Sequence, residues 1–99
     1  SIEMKLLVDV ANDLFNDGKV RSFRDFSRKY MNKTSNYMNI LFYDNAKKPS
    51  ISALLGLHRK LAKDGNETFG GKIKKLVFNT FSRITLHSNP WFYFSNNET

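Results

Sequence analysis

The sequence predicts an all-α fold of about five helices, and three observations predict it. Apolar residues recur at threes and fours along most of the 99 residues. Capping residues and Gly/Pro stop signals separate those stretches. A chain of this length makes one domain around one core, which a 40% hydrophobic content and nine Phe can fill.

The elements are taken in chain order. Ile2, Leu6, Leu7, Val10, Ala11, Leu14 and Phe15 share one helical face, while Lys5, Asp9, Asn12, Asp13 and Asn16 take the other. This first helix stops at Asp17-Gly18. Ser22 is a good N-cap with Asp25 three residues on, so a second helix over 23–30 presents Phe23, Phe26, Ser27 and Tyr30. Thr34 or Ser35 offers the next N-cap. A third helix over 34–43 then buries Tyr37, Ile40 and Leu41. Residues 44–50 read as a loop in which Pro49 bars helix at Lys48 and Ser50 caps the next helix. That fourth helix, 51–63, turns Ile51, Leu54, Leu55, Leu57, His58 and Leu61 inward and ends at Asp64-Gly65-Asn66. Phe69-Gly70-Gly71 reads as a flexible joint. The fifth helix, 72–86, carries Ile73, Leu76, Val77, Thr80, Phe81 and Ile84, with a strand over 83–87 as the alternative because Thr80, Ile84 and Thr85 are β-branched. Asn89-Pro90 ends it. A helical domain over 1–87 is therefore expected, followed over 88–99 by the aromatic run Trp91 to Phe94 and a polar tail.

Charge is distributed unevenly. The net charge is +7, but residues 1–17 sum to −3 and residues 18–62 to +8. A basic block beside an acidic first helix suggests a polyanion-facing side. The absence of cysteine excludes disulfides and thiolate metal sites and fits a reducing, cytoplasmic compartment. No apolar run approaches the ~20 residues of a membrane span, and the opening Ser-Ile-Glu-Met-Lys is amphipathic at once, unlike a signal peptide.

Enzymatic readings find little support. His58 and His87, the two histidines, fall on different helices, and His58 belongs to a Leu-rich face. Asp9 and Asp13 stand one turn apart on an acidic face. Gly70-Gly71 lacks the Gly-Lys-Ser/Thr context of a phosphate loop. No catalytic residue, metal or cofactor is expected.

The informative stretch is 22–61. Numbered from Phe23, a twenty-residue helix-turn-helix template places its small position on Ser27 and apolar positions on Phe26, Tyr30, Tyr37 and Ile40. A small Ser27 lets two helices cross closely and props the second outward. With Ser22-Phe-Arg-Asp-Phe-Ser-Arg-Lys-Tyr, Thr34-Ser-Asn-Tyr-Met-Asn-Ile-Leu and Lys47-Lys-Pro-Ser-Ile-Ser-Ala-Leu-Leu, the chain resembles the Xre/lambda-repressor family of DNA-binding domains. It is also similar to small bacterial helix-turn-helix proteins of unassigned function, which carry Phe-Ser-x-x-Trp-Leu-Gly-x-Ser-x-x-Tyr where Phe26 to Tyr37 stand here. It departs from the family where Met31 takes the turn position usually held by Gly, and where Phe23 replaces the usual Gln.

The resemblance implies a double-stranded DNA-binding protein of bacterial or mobile-element origin, a small transcriptional regulator reading the major groove with helix 34–43. Phosphate contacts are then expected from Arg21, Arg24, Lys33, Lys47 and Lys48. Base contacts are expected from Thr34, Ser35, Asn36, Met38 and Asn39, with Lys33 in reach of either. A homodimer through helix 72–86 and Trp91 to Phe94 is expected to pair two half-sites. The alternative is a protein-interaction module, antitoxin-like or adaptor-like, on the same scaffold.

Overall fold

The structure, a computed structural model, describes residues 1–88, with side chains through Ile84. Five helices run in order, α1 (Ile2–Asn16), α2 (Phe23–Met31), α3 (Tyr37–Tyr43), α4 (Ile51–Lys63) and α5 (Glu67–Ser88), and there is no strand among the described residues. Serine side chains cap three of them. Ser1, Ser22 and Ser50 accept from the backbone N–H of Met4, Asp25 and Ala53 at 3.1–3.2 Å. The fifth helix is helical over 83–87, as expected, and the alternative strand there does not form, because α5 runs unbroken to Ser88.

One core joins the helices. Leu7, Val10 and Leu14 of α1 meet Phe26 and Met31 of α2, Met38 and Leu41 of α3, Leu54, Leu57 and Leu61 of α4, and Ile73 of α5. Burying each such side chain contributes about 1.5–3 kcal/mol. α4 packs along α5 and against α2, and α2 packs against α3. An edge-to-face chain of Phe15, Phe23 and Phe42, with centroids 5.4 and 5.2 Å apart, ties α1, α2 and α3 together on one flank. Gly56 allows the close approach of α4 to α2, because a Cβ there would stand 3.3 Å from the Met31 carbonyl oxygen.

The joint expected at Gly70-Gly71 is the second turn of α5. Asn66 caps this helix start, its Oδ1 accepting from the Phe69 N–H at 3.2 Å while its carbonyl accepts from Gly70 at 2.9 Å. Buried Gly70 lies 3.8 Å, measured from the position of a Cβ, from the Leu61 side chain. Two glycines cost this helix about 2 kcal/mol against alanine, against which stand the Asn66 cap and the packing of α5 on α4.

A candidate nucleic-acid interface

The unit that positions the candidate residues is α2, the turn over 32–36, and α3. Ser27 is fully buried where the two helices meet. Its hydroxyl donates to the Phe23 carbonyl at 2.8 Å and accepts from the Met38 N–H at 3.2 Å. It therefore satisfies a donor at the start of α3 that has no partner within its own helix.

The turn falls one residue later than the template placed it. Met31 is buried as the last residue of α2, and Asn32 takes the left-handed conformation at φ 53°. Asn adopts that region more readily than Met. The shift carries into α3, where Met38 and Leu41 are buried and Tyr37 and Ile40 are half-buried. Met38, expected to face DNA, is 0% exposed and is withdrawn from the candidate contacts. Neither Thr34 nor Ser35, the two alternatives for the N-cap, caps α3. Asn36 is the N-cap of α3 and makes no side-chain cap bond. Thr34 donates to Asn36 Oδ1 at 2.6 Å, and Ser35 accepts from Arg24 at 3.2 Å.

The outward face of α3 is uncharged. Asn36 and Asn39 are exposed as expected, and Tyr43, one turn after Asn39, is 90% exposed. Tyr43 was absent from the sequence expectations, although its spacing from Asn39 puts both on one face.

Two groups of polar residues flank the turn. On the α2 side an open cleft of about 530 Å³ is lined by Arg21, Arg24, Arg28, Lys29, Asp25 and Ser35. Four cations face one carboxylate there. Asp25 is buried and accepts from the Arg21 N–H at 2.9 Å, with Arg28 and Lys29 each at 3.3 Å. The Arg21 N–H, followed by Lys29 and Arg28, holds its carboxyl below the usual Asp range. Arg28 and Lys29 also went unnoticed in the sequence, though Arg28 stands one turn after Arg24.

On the other side, Lys33 Nζ donates to Ser52 Oγ at 2.8 Å and lies 5.8 Å from the Tyr37 ring centroid. The Tyr37 hydroxyl accepts from the Ser50 N–H at 2.9 Å. The start of α3 thus abuts the start of α4. Lys47 and Lys48 are exposed. Lys48 shares a hollow with Thr80 and Arg83, and its charge acts on Glu3, so it belongs to the α1–α5 side rather than to the cleft.

The seam expected in α5 is divided. Ile73 is buried in the core and Leu76 and Val77 pack against it, whereas Phe81 and Ile84 are exposed, as is Phe78 off that seam. Trp91 to Phe94 lie outside the described residues. No helix among the described residues is long and apolar enough to cross a membrane.

No curated protein and no solved structure matches the chain. A family model, described as a family of unknown function (DUF6626), matches residues 7–88, which take in the core, the α2–α3 unit and the whole of α5. The chain belongs to that family.

Proposed function

We propose that this chain binds double-stranded DNA through α2, the turn and α3, and acts as a small transcriptional regulator. One observation carries the reading. The uncharged face of Asn36, Asn39 and Tyr43 stands beside a cleft in which Arg21, Arg24, Arg28 and Lys29 outnumber a single carboxylate. The cations supply sequence-independent attraction to phosphates. Asn side chains can pair bidentately with adenine, and Tyr43 adds an aromatic edge with a hydroxyl donor. Lys33, Thr34, Ser35 and the start of α4 complete the contact surface, while Lys47 and Lys48 extend attraction toward the α1–α5 side. The regulatory role rests on analogy with the Xre/lambda-repressor family, not on the charge pattern.

Selection from a pool of random duplexes tests this reading. It expects an enriched motif, and it expects Asn39→Ala to cost about 1–3 kcal/mol on that motif and little on unrelated duplex. Failure to retain any duplex at low salt would favour the protein-interaction module.

A further inference from the structure

We infer that the cleft on the α2 side of the turn is a site for a compact oligophosphate, two or three linked phosphate groups held between Arg21, Arg24, Arg28 and Lys29. These four cations surround about 530 Å³ with one carboxylate, Asp25, among them, which leaves a local charge of +3. Bringing like charges to one concavity costs energy through mutual repulsion, and an anion seated there offsets that cost. The volume falls within the range of about 300–1,000 Å³ usual for small-molecule sites.

Three of the cationic heads are held before any ligand arrives. Arg24 donates to Ser35 Oγ across the turn at 3.2 Å. Asp25 holds Arg28 on one oxygen and Lys29 on the other, each at 3.3 Å. Asp25 is itself buried and also accepts from the Arg21 N–H, so the carboxylate braces the cations from beneath. Side chains already held lose less freedom when a ligand binds. Exposure and charge then select the ligand class. The Arg28 and Lys29 side chains are 61% and 54% exposed, so pairing with one anionic group contributes little in water. Several charges on one small ligand are needed. A phosphate group brings about two charges and three acceptor oxygens, and guanidinium forks take it bidentately. Two linked phosphates therefore match the local charge, which three carboxylates would be needed to meet. A duplex offers one charge per phosphate, spread along its backbone. The site stands on the cleft alone; that its ligand displaces duplex phosphates rests on the DNA-binding reading.

Isothermal titration of the full chain with inorganic tripolyphosphate, at constant salt and without duplex, tests the inference. It expects one ligand per chain, bound roughly tenfold or more tighter than sulfate or citrate. Arg21→Ala/Arg24→Ala keeps the Arg21 backbone N–H on Asp25 and is expected to weaken binding by roughly tenfold or more, with circular dichroism unchanged. Lys63→Ala/Lys75→Ala removes the same charge from exposed positions outside the cleft and is expected to bind like the wild type. Adenosine triphosphate separates two sources of the same chemistry. Tighter binding than tripolyphosphate adds a nucleoside to the ligand, and equal or weaker binding leaves the phosphate chain as the whole of it. Tripolyphosphate held no tighter than sulfate or citrate overturns the inference. So do several ligands per chain, or equal losses in the two double variants, because each describes general counterion attraction. With no duplex present, failure here leaves the DNA-binding reading standing, and a chain that ignores duplexes still has this site to be measured.

Discussion

Ser27 holds the α2–α3 unit together with one oxygen. Replacing it by Ala keeps the small volume that the crossing needs but leaves the Met38 N–H without its acceptor. A buried donor stripped of its partner costs about 1–3 kcal/mol, so Ser27→Ala is expected to lower the urea midpoint accordingly while helix content stays the same. A loss under ~0.3 kcal/mol would mean that the hydroxyl does not tie the helices. Two groups of the same region have shifted titrations that make stability depend on pH. Asp25 is held low, chiefly by the Arg21 N–H, so the stability it contributes is present above its unfolded value near 4 and is lost as pH falls through the lower folded value. Tyr30 is pushed upward by burial and by the hydrogen bond its hydroxyl donates to Asp64. Its contribution is full below its unfolded value near 10 and is lost as pH rises beyond that. Denaturation across pH is expected to show a shallower acid limb in Asp25→Asn and a shallower alkaline limb in Tyr30→Phe. Unchanged limbs would remove these two groups from the pH dependence.

At the scale of the element, α5 makes the clearest wager. Gly71 is exposed in the interior of a continuous helix, and a Cβ there meets nothing within 4 Å. Gly71→Ala is therefore expected to stabilise the protein by about 0.5–1 kcal/mol. If residues 69–71 were a hinge instead, the substitution would bring no such gain in thermal midpoint. The expected and observed elements differ for identifiable reasons. α4 has the bounds read from the sequence, because Pro49-Ser50 and Asp64-Gly65 mark its ends by local chemistry alone. α5 begins five residues earlier than expected, because the Asn66 cap and the fit of Gly70 against Leu61 come from packing that composition does not display. The register of α3 depended on which residue ends α2. Met31 and Asn32 compete for that place, and burial of Met31 decides it. The same step moved Met38 from the candidate surface into the core. Arg21, Arg24, Asn36 and Asn39 were legible because exposed polar residues beside a cap keep their faces under a one-residue slip. Arg28 and Lys29 were not, because their place in the cleft depends on the position of Ser35 across the turn.

The whole molecule divides its surface by charge. The acidic first seventeen residues supply α1, and the basic block over 18–62 supplies the α2–α3 unit and most of α4. On the proposed reading, the cations around the cleft supply attraction for a duplex at the face of Asn36, Asn39 and Tyr43. Neutralising phosphates releases counterions, so affinity must fall with salt in proportion to the contacts made, by about 0.9 in log K per phosphate for each decade of salt. The most direct measurement is fluorescence anisotropy of a labelled duplex against salt, for the wild type and for Arg24→Ala/Arg28→Ala. The account predicts a wild-type log–log slope of about −3 or steeper, for three or more phosphates. It also predicts a slope shallower by about two units in the double variant, with circular dichroism unchanged. No binding at low salt, or the same slope in both proteins, would contradict it.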